Sequence, residues 1–403
     1  MMHRSMSAAK KKQGETVWAG LDWILIAAVA ALTVLGLLLV WSATSNRDEL
    51  TGGDSTAYLA KQGVNIVVGA ILGALVAATD HRWLRVWAPA VYLGSVLGLL
   101  LIYVPAVGAT INGSHSWLLI GGLSIQPAEF AKFGVIVGMA LVLAERMEGS
   151  HRNGVRGSDL PPALMIAAVP ALLILAQPDL GTLMVLTAIV FGVLVIAGTP
   201  KRWLVGLFVV AAGVIGAAIV SGLLEEYQLL RFSAFTDPTL DPRGAGYNTM
   251  QARIAIGNGG VLGQGLFNGS QTQSGFVPEQ HTDFVFTVAG EELGLLGAGV
   301  IVALFAIVLW RGLRIARHAH DSFGQLAAVG IVVWFGFQSF QNIGMCLGIM
   351  PVTGVPLPFV SSGGTSLFAS MMAIGLLLNI HRRTSLRHGL GVIVRSRLQR
   401  SRL

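Results

Sequence analysis

The chain has 403 residues, 54% of them hydrophobic and only 12% charged, with a mean hydropathy of +0.70. An ordinary soluble domain carries about 25% charged residues, so this composition excludes a soluble globular enzyme and specifies a polytopic membrane protein. The formal charge of +7 does not imply nucleic acid as a partner, because placement of positive charge matters more than its sum in such a protein, and the single cysteine, Cys346, excludes an internal disulfide or a multi-cysteine metal cluster.

The basic head "HRSMSAAKKK" runs into an apolar segment long enough to span, so a retained helix rather than a cleaved leader is expected. A spanning helix needs roughly 20 mostly apolar residues. Ten candidates follow in chain order, within 21–43, 63–79, 87–104, 127–144, 161–177, 180–198, 203–224, 284–310, 325–346 and 366–381. The predicted fold is therefore an all-α bundle of about ten transmembrane helices, with its membrane domain over 21–382 and basic tails over 1–20 and 383–403. With a cytoplasmic N-terminus, 21 of the 27 lysines and arginines fall on the inner side. Only Arg47, Lys61, Arg231, Arg243 and Arg253 fall outside, and Lys132 lies within a helix.

The fourth span opens with "SIQPAEFAKFGV". Pro127 suits a first helical turn, and Glu129 complements the positive helix end. Lys132 follows at i+3 on the same face. Charge inside a bilayer is costly and marks a site or pathway, which favours function over a lysine that merely snorkels outward. In "AQPDLGTLM", between spans five and six, Asp179 is equally readable as a helix cap or as a site residue.

The longest outer segment, 225–282, keeps enough aromatic and aliphatic residues to be structured. Its glycine-rich half, "GAGYNTMQARIAIGNGGVLGQGLFNGSQTQSG", permits a backbone nest for phosphate, although glycines also merely make turns. Arg231 and Arg253 are either solvated charges or partners for a polyanion, whose phosphate geometry a guanidinium matches. The segment ends in "FVPEQHTDFVF", which sets Glu279, His281 and Asp283 at the mouth of the eighth span. Asp283 is either a helix cap or, if partly desolvated near a substrate hydroxyl, a general base. The loop 347–365, "LGIMPVTGVPLPFVSSGGT", has no charge and three prolines. It is expected to be re-entrant or cavity-lining, since irregular backbone survives at membrane depth only inside protein or beside water. These features together fit a lipid-linked phosphate entering from the outer leaflet.

In order along residues 20–382, the motifs "QPAEFAK", "QPDLGT", "DPRGAGYN…QARIAIGNGG", "PEQHTDFVFTVAGEELGLLG" and "PLPFVSSGGTS" resemble those of the SEDS family (shape, elongation, division, sporulation). The stretch "GSQTQSGFVPE" is similar to its elongation branch, the rod-shape branch, more than to its division branch. The resemblance implies a peptidoglycan glycosyltransferase of the bacterial cytoplasmic membrane, with both termini cytoplasmic. Its expected substrates are lipid II and an undecaprenyl-pyrophosphate-linked glycan strand. Its expected partners are a class B penicillin-binding protein and other elongation-complex proteins. It further implies that Asp283 is catalytic and that Glu129, Lys132 and Asp179 are site residues. With them, Arg231, Arg253, Gln271, Glu279, His281, Ser361 and Ser362 are expected to meet or frame the substrate. Ser362 departs from the residue usual in the family before Gly363 and Gly364. A divalent cation, Mg²⁺ or Mn²⁺, could bridge pyrophosphate and carboxylate, but the sequence holds no dedicated cage. A lipid II flippase and a non-enzymatic scaffold remain open alternatives.

Overall fold

A computed structural model describes residues 20–400, apart from 112–113, 121–122, 150–153, 221–230, 232–234, 236 and 243. Residues 1–19 of the predicted tail 1–20, the end of the seventh span after 220 and Arg243 lie outside the described residues. The helices in chain order are α1 (Trp23–Ser45), α2 (Ala57–Ala78), α3 (His81–Leu101), α4 (Pro127–Gly149), α5 (Leu160–Leu175), α6 (Leu180–Ile196) and α7 (Lys201–Val220). They continue with α8 (Ala245–Gly259), α9 (Ser270–Ser274), α10 (Val285–Glu292), α11 (Gly294–His318), α12 (Ser322–Leu347) and α13 (Gly364–Arg400).

Eight of these, α1–α5 and α11–α13, contain stretches long and apolar enough to cross a membrane. The sixth and seventh predicted spans coincide with α6, which has 17 residues, and α7, which has 20. Their starts follow local chemistry. Asp22 caps α1 by accepting from the Leu25 N–H at 3.1 Å, and Asp321 caps α12 by accepting from Gly324 at 3.2 Å. Gly348 closes α12 in the left-handed conformation at φ +70°.

Two features differ from the sequence reading. Between α3 and α4 the chain forms a small antiparallel sheet of β1 (Gly108–Ile111), β2 (Ser114–Ile120) and β3 (Leu123–Ile125), in the order β1-β2-β3. The eighth span is not one helix: it breaks at Leu293, because Gly294 adopts φ +67° where a Cβ would stand 2.3 Å from the Gly263 nitrogen.

The glycine-rich stretch packs closely against the same break. Residues 245–259 form α8, and Gly259 lies so close to α10 that a Cβ would fall 1.9 Å from the Gly290 carbonyl oxygen. Beyond α8, the N–H groups of Gly263, Gln264 and Gly265 are donated to the carbonyls of Gly259, Glu291 and Glu292. These three N–H groups are therefore spent on carbonyls, and Gly259 and Gly263 serve close backbone packing.

The helices α4 and α12 are largely buried, while α2 and α3 expose most of their apolar side chains. Helix α2 leans on α13 through small residues: a Cβ at Gly375 would lie 2.2 Å from the Gly73 carbonyl, and Gly69 faces Met371. Such close approach is how helices associate where apolar burial gives little preference for protein over lipid.

Residues 348–363 are the feature that positions the site. They carry no regular structure, yet Val352, Val355, Leu357, Phe359, Val360 and Ser361 are all buried, as expected of a re-entrant segment. Its backbone passes directly over α1 and α6. A Cβ at Gly36 would lie 2.5 Å from the Val360 Cα and carbonyl oxygen, and one at Gly181 would lie 2.6 Å from the Thr353 oxygen. Gly36→Ala should therefore overpack this seam and cost about 1–3 kcal/mol. Gly63→Ala, with nothing within 4 Å of its added Cβ, should leave the melting temperature in detergent unchanged or slightly raised. Equal melting of the two variants would contradict the seam.

Candidate active site

The Glu129–Lys132 pair is buried near one end of the bundle. Lys132 Nζ lies 2.7 Å from Glu129 Oε1 and 2.7 Å from Gln338 Oε1 on α12. It also sits 5.1 Å from the centre of the Trp334 ring, whose Nε1 donates to Gln338 Oε1 at 2.6 Å. Glu129 Oε2 has no hydrogen-bond partner although it is buried. With side-chain exposures of 0% and 1%, the pair does not snorkel. It ties α4 to α12.

Asp179 performs the capping role and also belongs to this group. Its Oδ1 accepts from the Thr182 N–H at 2.9 Å, and its Oδ2 accepts from Thr182 Oγ1 at 2.8 Å and from Gln126 Nε2 at 3.2 Å. Burial raises its pKa; the Thr182 bonds and the charge of Lys132 oppose that rise, and Glu129 adds to it.

Asp283 stands at the same end. It does not cap α10, whose N-cap is Phe284 without a side-chain bond. The turn before it is set by Glu279, at φ +47°, whose carbonyl accepts from the N–H groups of Thr282, Asp283 and Phe284. A non-glycine residue held there stores strain of about 1–3 kcal/mol. Asn342 of α12 donates to the Asp283 carbonyl at 2.7 Å and to the Val355 carbonyl at 2.8 Å. The Asp283 pKa is pushed up to about 7, first by burial and then by the Glu279 carboxylate and Asp179, with Arg231 opposing. Glu129, Lys132, Asp179, Arg231, Glu279 and Asp283 thus share one electrostatic neighbourhood, joined from four separate parts of the chain.

Other predicted residues frame it. His281 packs edge-on against Tyr58 at 5.1 Å, its Nδ1 is buried without a partner, and its carbonyl accepts from the Ser362 N–H at 2.9 Å. Burial lowers its pKa, with Glu279 opposing and Arg47 and Lys61 reinforcing. Ser361 Oγ accepts from the Leu357 N–H at 2.8 Å, closing the re-entrant turn. Arg253 is engaged elsewhere: its guanidinium donates to the carbonyls of Leu347 and Gly348 at 3.1 and 3.0 Å, completing the C-terminus of α12. Gln271 lies in a separate hub, where its N–H and those of neighbouring groups converge on Glu291. That buried carboxylate accepts from Ser270 Oγ, the Gln271 N–H, the Thr272 N–H and Thr272 Oγ1.

Several members escaped sequence reasoning. Gln338, Gln341 and Asn342, all fully buried, stitch α12 to the re-entrant segment through Pro356, Thr353 and Val355. Arg47 donates to the Val277 carbonyl and to Gln280 Oε1, anchoring the segment that leads to Asp283. The signal available was the run "QSFQN" inside an apolar helix, because buried amides must find partners. Among the described residues, no three His, Cys, Asp or Glu side chains converge to hold a metal ion.

Residues 22–386 match the family profile described as cell cycle protein, FtsW/RodA/SpoVE. The chain is 34% identical to the probable peptidoglycan glycosyltransferase FtsW of Geobacter metallireducens, over 90% of this chain and 95% of that one. It is 36% identical to the peptidoglycan glycosyltransferase MrdB of Escherichia coli, over 91% and 95%. Among solved structures, it superposes with a TM-score of 0.75 and 33% identity on a chain from "Structural coordination of polymerization and crosslinking by a peptidoglycan synthase complex", covering 91% of this chain and 99% of that one. The rod shape determining protein RodA of Thermus thermophilus gives 0.66 and 31%, over 91% and 98%. With a family match spanning the whole bundle and every helix of the site, the chain belongs to the FtsW/RodA/SpoVE family of cell-cycle proteins.

Proposed function

We propose that the chain is an inverting glycosyltransferase that polymerises lipid II into glycan strands, with Asp283 as the general base. The observation that carries the reading is the placement of Asp283, clamped by Asn342 beside the re-entrant segment and set among Glu279, Arg231 and Asp179, surroundings that push its pKa up to about 7. A group titrating near working pH can both accept a proton and remain available as a base. Asp283 takes the proton of the GlcNAc 4-hydroxyl as that oxygen attacks the anomeric carbon of the growing strand. The bond from that carbon to undecaprenyl pyrophosphate breaks, and the leaving group carries away its electron pair. Arg231 supplies positive charge beside the reaction, where fixed charge in a water-poor site counts most. Lys132 is closed off from solvent; it acts through the frame, holding Gln338 and thereby the re-entrant segment. Arg253 likewise acts by fixing the end of α12.

The positive-inside count puts the Asp283 end on the outer face of the cytoplasmic membrane and both termini inside. Lipid II delivered to the outer leaflet meets the site there. The chain works with a class B penicillin-binding protein and other elongation-complex proteins; the synthase complex that contains a structural relative supports the first of these. The elongation branch is proposed on "GSQTQSGFVPE", since relatives bearing division and elongation names match at similar identity.

Asp283→Asn keeps shape and removes basicity. It should abolish polymer formation by the purified chain with its partner, while membrane insertion is unchanged. Wild-type rates in this variant would refute the base assignment.

The rate of the wild-type enzyme should depend on pH with a definite sign. A base is active deprotonated, so with its pKa near 7 the rate should rise about tenfold per pH unit below neutrality and level off above it. An unperturbed carboxylate would instead give a flat profile above about pH 5.

Lys132→Met leaves Glu129 buried and uncompensated, which should cost about 3–5 kcal/mol of stability. It should also lower turnover about tenfold or more, equivalent to about 1.4 kcal/mol. The double variant Glu129→Gln/Lys132→Met should recover most of the melting temperature without the activity. Recovery of both together would mean that the charge has no part in turnover.

A further inference from the structure

Asn342 is an expensive residue for its position. Its side chain is completely buried on α12, and its Oδ1 has no hydrogen-bond partner. A leucine there would avoid that desolvation. What the amide achieves is a double donation from Nδ2, to the Asp283 carbonyl at 2.7 Å and to the Val355 carbonyl at 2.8 Å. The reversed amide would set Oδ1 against the same two carbonyl oxygens, so the orientation follows from its neighbours. One side chain therefore clamps the segment bearing the reactive carboxylate to the re-entrant segment.

The residue next to Val355 is also unusual. Gly354 adopts φ +68° and is exposed, although Pro351, Val352, Thr353 and Val355 around it are buried. A Cβ at Gly354 would lie 3.3 Å from Asp283 Oδ2. A hydroxyl oxygen giving its proton to the carboxylate would sit somewhat nearer, at about 2.5–3.0 Å, in the space beside that position. A side chain at 354 would fill the place of the nucleophile.

We propose that Asn342 is a positioning residue, which holds Asp283 at a fixed spacing from residues 354–355, and that the gap left by the missing side chain of Gly354 receives the attacking sugar hydroxyl. The inference deepens the reading of Asp283 as the base and rests on it. Asn342 does not touch the substrate; it acts through the backbone of Asp283. Gly354 sets the width of the acceptor site.

The test compares lipid II polymerisation by the wild-type complex with its partner and by the variants Asn342→Leu, Gly354→Ala and Asp283→Asn. Asn342→Leu should lower kcat about tenfold or more, since misplacing a reacting group by about 1 Å is enough for that, while KM stays within about threefold. It should also move the midpoint of the pH–rate profile downward, because the loosened carboxylate gains water while Glu279, Asp179 and Arg231 remain around it. A purely structural defect would lower the rate equally at every pH. Gly354→Ala should lower kcat/KM about tenfold or more. Gly52→Ala, at φ +63° with nothing within 4 Å of its added Cβ, reports the cost of the backbone conformation alone and should retain wild-type kinetics. Wild-type kcat and midpoint in Asn342→Leu, with Asp283→Asn inactive, would overturn the clamp and leave the base assignment standing. Activity in Asp283→Asn would overturn both. If Asn342→Leu does not fold, Gly354→Ala decides: wild-type kcat/KM there would overturn the proposal.

Discussion

The structure depends on how residues 348–363 are held. This segment has no regular hydrogen bonding of its own, yet it is buried among apolar helices. Each unpaired backbone group there would cost free energy on the scale of a lost hydrogen bond or more. Part of the solution is a row of three amides on one stretch of α12: Gln338 and Asn342 donate to the carbonyls of Pro356 and Val355, and Gln341 donates to the Thr353 hydroxyl. Lys132 then makes sense as the far end of the same system. Its ammonium fixes Gln338 Oε1, so that the Gln338 amide protons face the segment. The glycines at 36 and 181 let α1 and α6 approach the segment closely enough to shut it in.

From this frame the electrostatics follow. Carboxylates from two parts of the chain, Asp179 on one side and Glu279 with Asp283 on the other, lie near one another at this end of the bundle. Like charges and burial both favour the neutral form, which raises Asp283 well above an ordinary carboxyl, while the nearby cation limits the rise. Perturbed groups of this kind cluster at reactive sites. The Glu291 hub shows the opposite use of an acid: its two oxygens are saturated by local donors, and it serves to fold the loop ahead of Asp283.

Much of this was legible in the sequence because bilayer physics is coarse. Apolar run length located the helices, and the charge-free, proline-rich 347–365 read correctly as irregular backbone inside protein. Glu129, Lys132, Asp179 and Asp283 stood out as ionisable groups where such groups are costly. What stayed hidden depended on distant partners. The buried amides of Gln338, Gln341 and Asn342 signal a need for partners, but which groups of the following segment they meet depends on how that segment folds back. The break at Leu293 hinges on contact between Gly294 and Gly263, far apart in sequence. Arg253 has the chemistry of a phosphate ligand, and only tertiary structure reveals that carbonyls of α12 occupy its guanidinium. The glycine-rich loop was ambiguous for the same reason, since close packing and anion binding require the same residue.

The central claim is that this bundle makes glycosidic bonds at the Asp283 end rather than moving lipid across the membrane. It is tested most directly by reconstituting the purified chain with its partner in liposomes. Lipid II would be supplied from the side facing Asp283, and glycan polymer would be measured alongside translocation of a fluorescent lipid II. The account requires polymer to form without translocation. Translocation without polymer would contradict it.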